Sequence, residues 1–76
     1  MKLRNINSKD VVKAFQKMGY IIKSQRGTHV KLVKEIGEIR KILIIPIHHK
    51  EIPIGTLTDI LNNQANISRE EFFKYY

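Results

Sequence analysis

Residues 24–32 read SQRGTHVKL. A glycine set between β-forming residues reads as a hairpin corner, with strands over residues 20–25 and 28–34 and a tight turn at Arg26-Gly27. The corner needs Gly27, but it has no use for Arg26, Thr28, His29 and Lys31 packed so closely together. Outward from this corner the chain reads in simple pieces. Gly37 marks a second turn, and residues 39–47 read as a third strand ended by Pro46. Upstream, Asn7 or Ser8 can cap a helix that runs to about Met18, and Gly19 closes it. Its Val11, Val12, Phe15 and Met18 form one apolar stripe, with Lys9, Lys13 and Lys17 on the opposite face. Downstream, a loop leads to a helix from Pro53 or Thr56 to Gln64, with Leu57, Ile60 and Leu61 facing inward. Ser68-Arg69-Glu70-Glu71 matches a capping box, so a short last helix carries Phe72 and Phe73. The expected fold is α+β: helix, three-stranded antiparallel meander, helix and short helix, with the helices on one face.

Strand faces follow from the two-residue period. Val30 and Leu32 share one face of the second strand, and His29, Lys31 and Val33 share the other. On the first strand Lys23 and Gln25 alternate with Ile22 and Ser24. The third strand is apolar on both faces, with Ile42 and Ile44 on one and Leu43, Ile45 and Ile47 on the other. Helices that cover a single face would leave some of these side chains exposed, and an exposed apolar strip marks a partner surface.

Composition bounds the rest. With 76 residues the chain makes one domain, 1–76. A chain of this length buries only about 60% of its unfolded surface, so function is expected on an open face. There is no cysteine, which excludes a disulfide scaffold and thiolate metal sites and fits a reducing cytoplasm. MKLRNIN lacks the apolar run of a signal peptide, and residues 42–47 are too few to span a bilayer. A soluble cytoplasmic protein without a membrane role is expected. The net charge of +7 is one-sided: residues 1–34 hold nine Lys or Arg against Asp10, whereas residues 35–76 hold five against six acids. All the excess positive charge therefore lies in the half that carries the GTH segment, which suits a polyanion such as RNA. Lys13 and Lys17 read either as a solvated helix face or as phosphate contacts.

The residues also limit the chemistry. Histidine takes or gives a proton at cellular pH. Metal-free RNA cleavage needs a base for the 2′-hydroxyl and positive charge beside the phosphate. His29 with Arg26 and Lys31 could supply both, with Lys23 and Thr28 nearby. A metal nuclease would need clustered carboxylates, and the basic half offers only Asp10. His48 and His49 lack the two further ligands that zinc requires, so no metal or cofactor is expected.

Gly27-Thr28-His29, Pro46-Ile47-His48 and the segment KEIPIGTLTDIL at residues 50–61 resemble the HicA (YcfA-like) family. The resemblance runs from the first helix to Phe72. It implies a double-stranded-RNA-binding-domain-like fold that acts as an mRNA interferase toxin, held inactive by a HicB-like antitoxin. The family's catalytic histidine falls on His29. Thr28 stands where serine is commoner, and the hydroxyl is kept. The resemblance gives His48 no catalytic role, and its expected role is a hydrogen bond that holds the loop. Few aromatics lie near His29 to stack on bases, so loose base preference is expected, with mRNA held through its phosphates. The alternative is a non-catalytic RNA-binding module, or an inactive toxin relative, in which His29 makes only a phosphate or backbone contact.

Overall fold

The computed structural model describes residues 6–76; residues 1–5, with Lys2 and Arg4 of the basic half, lie outside the described residues. Helix α1 (Ser8–Lys17) is followed by strands β1 (Ile21–Arg26), β2 (His29–Ile36) and β3 (Ile39–Pro46). Helix α2 (Ile54–Asp59) runs directly into a π-helical segment (Ile60–Ala65), and helix α3 (Arg69–Tyr75) ends the chain. The strands form one antiparallel sheet in the order β1-β2-β3. This is the expected α+β architecture, with β2 as the central strand.

Local chemistry explains the element ends. Asn7, not Ser8, is the N-cap of α1: its Oδ1 accepts from the Lys9 N–H at 2.9 Å and the Asp10 N–H at 3.3 Å. Ser8 sits one residue inside and is buried, which frees its hydroxyl for another task. Ser68 caps α3 by accepting from the Glu71 N–H at 3.0 Å, as the capping box predicts. Both hairpin turns have two central residues with glycine first, at φ +57° for Gly27 and +59° for Gly37. The first turn is therefore Gly27-Thr28, one residue later than expected, and Arg26 is the last residue of β1 rather than a turn residue.

The helices cover one face of the sheet. Leu32, Leu43 and Ile45 are fully buried there, against Phe15, Leu57 and Phe72. Each such side chain contributes roughly 1.5–3 kcal/mol. Phe15 lies between Tyr20 (ring centroids 5.5 Å apart, near-perpendicular) and Phe72 (5.6 Å), tying the start of the sheet to the last helix. Burial raises the Tyr20 phenol above its ordinary pKa. The other face is open. Ile42 and Ile44 keep 44% and 41% of their surface exposed there, whereas Leu43 and Ile45 are buried. The expected apolar strip exists and consists of the two isoleucines on the His29 face.

A β-bulge between Ile22 and Ser24 corrects the simple alternation of β1. Ser24 pairs with Lys31 on the open face, but Ile22 pairs with Leu32 on the covered face, so the two do not share a side. Lys23 is the extra residue and lines the open face beside Ile21 and Val33. At the other edge the π-helical segment lies against β3. Ile44 donates its N–H to Gln64 Oε1 at 2.9 Å, and Lys41 donates to the Ala65 carbonyl at 3.1 Å. A free edge strand invites pairing with another chain, and the Gln64 side chain takes up one of the outward N–H groups of this edge. Asn66, in the left-handed region at φ 56°, then ends the segment. Gln64→Leu, which removes the acceptor, is expected to cost about 0.5–1.5 kcal/mol in urea unfolding. Gln64→Glu, which keeps an oxygen at that place, is expected to cost less.

Candidate nucleic-acid interface

The open face consists of cross-strand rows. Arg26, His29 and Pro46 form the first, Ser24, Lys31 and Ile44 the second, and Ile21, Val33 and Ile42 the third. The first two rows enclose a shallow hollow of about 290 Å³ lined by Ser24, Arg26, His29, Lys31 and Ile44. Next to it lies a second hollow of about 220 Å³, lined by Gly19, Ile21, Lys23, Val33 and Glu35. Arg26, His29 and Lys31 therefore meet in one depression, with Lys23 beside it. His29 is exposed, and the Thr28 hydroxyl stands 3.4 Å from its Nδ1. Among the described residues the one ion pair is Lys74–Glu71, so Lys23, Arg26 and Lys31 carry no salt-bridged carboxylate.

Lys13 and Lys17 are not part of this cluster. Helix α1 buries Val11 and Phe15 against the covered side of the sheet, so its exposed lysines point away from the open face. Lys17 instead donates to the Tyr75 carbonyl at 3.4 Å. Lys9, by contrast, faces the loop after β3. It lines a concavity of about 400 Å³ with Asn7, Ser8, Ile47, His48, His49 and Lys50.

Two features of that concavity were missed by sequence reasoning. The first is how the loop after β3 is held. Ser8 donates its hydroxyl to the His49 carbonyl at 2.7 Å, and the Ser8 N–H bonds the Lys50 carbonyl at 2.9 Å. His48 does not make the structural hydrogen bond expected of it: its ring is exposed and bonds none of the described residues, and Ser8 holds the loop in its place. The second is the position of that ring. The His48 centroid lies 6.4 Å from that of His29 and 4.3 Å from that of His49. The signal was present in the hairpin: a two-residue turn at Gly37-Glu38 sets Pro46 opposite His29, so the segment just past Pro46 must pass His29. No three His, Cys, Asp or Glu side chains among the described residues are arranged to hold a metal ion.

An exposed imidazole between an arginine and a lysine can exchange a proton with a ribose hydroxyl while the cations face a phosphate. No helix among the described residues is long and apolar enough to cross a membrane. No curated protein matches the chain. A family model described as the HicA toxin of bacterial toxin-antitoxin systems matches residues 8–67, which hold the whole sheet, both hollows of the open face and the histidine loop. The chain belongs to the HicA toxin family.

Proposed function

We propose that this toxin is an mRNA endoribonuclease that works without metal and inhibits translation, with His29 as the catalytic residue. The observation that carries the reading is the hollow in which His29 stands between Arg26 and Lys31 on an uncovered sheet face. His29 exchanges a proton with the attacking or leaving oxygen, and the two cations offset the charge that builds on the phosphate. The Thr28 hydroxyl beside Nδ1 orients the ring, and Gly27 supplies the positive φ that starts the turn beside it. Lys23, Arg26 and Lys31 hold the RNA backbone. Lys13 and Lys17, on the far side of the core, take no part in the contact.

His29→Ala is expected to lower cleavage of an RNA oligonucleotide by about 10²- to 10⁴-fold and to abolish growth inhibition. Its melting temperature should barely move, because an exposed side chain away from the core contributes within about 0.5 kcal/mol. RNA affinity should stay within a few-fold of wild type, and wild-type cleavage should persist in EDTA. A wild-type protein that binds RNA and never cuts it would make the chain a binding module instead.

Backbone binding is readable as salt dependence. Replacing Lys23 and Lys31 by Gln should reduce the slope of log affinity against log salt by about 0.7–0.9 for each phosphate that is no longer neutralised. An unchanged slope would assign these lysines to solubility.

The antitoxin partner that the family implies would be a HicB-like protein seated on the same face. Ile44 lines the cationic hollow, and Ile21 (67% exposed) and Ile42 lie in the next cross-strand row of the same face, so one partner surface with apolar and acidic side chains could cover both. Blocking would then be steric, with no change of fold. Ile44→Lys is expected to weaken toxin–antitoxin binding by about tenfold or more, some 1.4 kcal/mol. It should leave RNA affinity undiminished, since it adds a cation. Neutralisation in co-expression would report the first effect, and a filter-binding assay the second.

A further inference from the structure

We infer that His48 is the second proton-transfer group of the cleavage reaction, the general acid that protonates the leaving oxygen while His29 acts as base. The inference rests on the proposed ribonuclease reading and adds to it a residue with a definite task. Three observations carry it. The two rings stand 6.4 Å apart between centroids and are tilted by only 35°. The base must reach the ribose 2′-hydroxyl and the acid the 5′-oxygen, each at about 2.6–3.2 Å, and rings with centroids 6.4 Å apart are near enough to serve the two ends of one scissile linkage. His48 is exposed and spends neither ring nitrogen on a bond to the described residues, so both are available to substrate. Finally, its loop is fixed from below: Ile47 N–H bonds the Thr28 carbonyl at 2.7 Å, and Ser8 bonds the His49 carbonyl at 2.7 Å. The backbone on both sides of His48 is therefore anchored beside His29, although nothing covers the ring.

The roles divide by local bonding. The Thr28 hydroxyl can accept from Nδ1–H of His29, a tautomer that leaves Nε2 with its lone pair as the base. His48 has no such partner, and in the acid's role it carries the proton that the leaving oxygen receives. His29 Nε2 takes the proton of the 2′-hydroxyl, and the 2′-oxygen forms its bond to phosphorus. The bond from phosphorus to the 5′-oxygen breaks as His48 passes its proton to that oxygen. The products are a 2′,3′-cyclic phosphate and a free 5′-hydroxyl. Each histidine ends in the protonation state the other began with, and exchange with water resets both. Beyond His48, Lys9 and Lys50 line the adjoining concavity, so positive charge continues along the path of the strand.

A leaving group that needs no proton tests the assignment. The full chain and its His29→Ala and His48→Ala variants are assayed on an RNA oligonucleotide and on the same oligonucleotide with sulfur in place of the 5′-bridging oxygen at the cleaved position. Thiolate leaves unprotonated, so a missing general acid is not felt there. His48→Ala is expected to fall about 10²- to 10⁴-fold on ordinary RNA and to return near wild-type rate on the sulfur substrate. His29→Ala should remain slow on both. If His48→Ala cuts ordinary RNA at the wild-type rate, or is equally slow on both substrates, His48 is not the acid, while the reading of His29 stands. If the wild-type chain cuts neither oligonucleotide, the ribonuclease reading itself fails and takes this inference with it.

Discussion

The register between β2 and β3 is the constraint on which the rest depends. The two-residue turn at Gly37-Glu38 sets Ile36 opposite Ile39, and every later pair follows, through Leu32 with Leu43 to His29 with Pro46. Leu32, Leu43 and Ile45 are fully buried under the helices, so a slip of one residue would turn this apolar set toward water. The core thus holds the register, and the register fixes the opposite face. Pro46, across from His29, has no N–H to extend the ladder, and one further bond, from the Ile47 N–H to the Thr28 carbonyl, ends it. The chain then leaves the sheet beside His29 and is caught by Ser8, which brings His48 within 6.4 Å. Packing on one side of β2 therefore positions the imidazoles on the other.

Much of this was legible in the sequence, and for identifiable reasons. The stripe Val11, Val12, Phe15, the glycines at 27 and 37 and the Ser68 box are local signals, and each fixes an element without reference to the rest. That some of Ile42, Leu43, Ile44 and Ile45 would be exposed followed from counting helices against sheet faces, and packing of the helices selected Ile42 and Ile44. What escaped was non-local. Alternation along IIKSQR gives no sign of a bulge, because the residue left unpaired is a lysine that solvent accommodates on either face. That bulge carries Lys23 to the open side. A count of charges likewise cannot tell near from far: Lys13 and Lys17 share the basic half with Lys23 and Lys31, yet the core separates the two pairs. Gly27 takes the first central position of its turn, which needs the positive φ, and so moves Arg26 back into the strand opposite His29.

Ser8 shows how one small residue joins these parts. It lies in the first turn of α1, where Asn7 already serves as cap, and its burial leaves the hydroxyl no access to water. A buried hydroxyl needs a partner, and the carbonyls of His49 and Lys50 supply it at 2.7 and 3.3 Å. The isolated bridge between Asn7 and Glu51 and the bond from the Ile52 N–H to the Ile6 carbonyl extend the same seam. The loop that carries the second histidine is thus attached to the helix side of the molecule as well as to the sheet.

A domain of this size can cover only one face of a three-stranded sheet, and the proposed chemistry has to work within that limit. The site has no walls, so water surrounds Arg26 and Lys31 and screens their pull on a phosphate. Electrostatic stabilisation of the kind a closed pocket provides is correspondingly weak here. Position then has to supply what the dielectric does not, and a rigid hairpin register with a pinned loop is a means of fixing two imidazoles without enclosing them. The same openness leaves no surface against which a base could be read closely. Tyr20, the aromatic nearest the hairpin in sequence, is buried in the core and unavailable for stacking. In the proposed reading, contact with RNA falls to the cations and the ribose-phosphate chain, which every message shares. A site so exposed cannot be closed off by a lid of its own. It can be covered, and the isoleucines on the same face as the cations offer a covering protein an apolar hold.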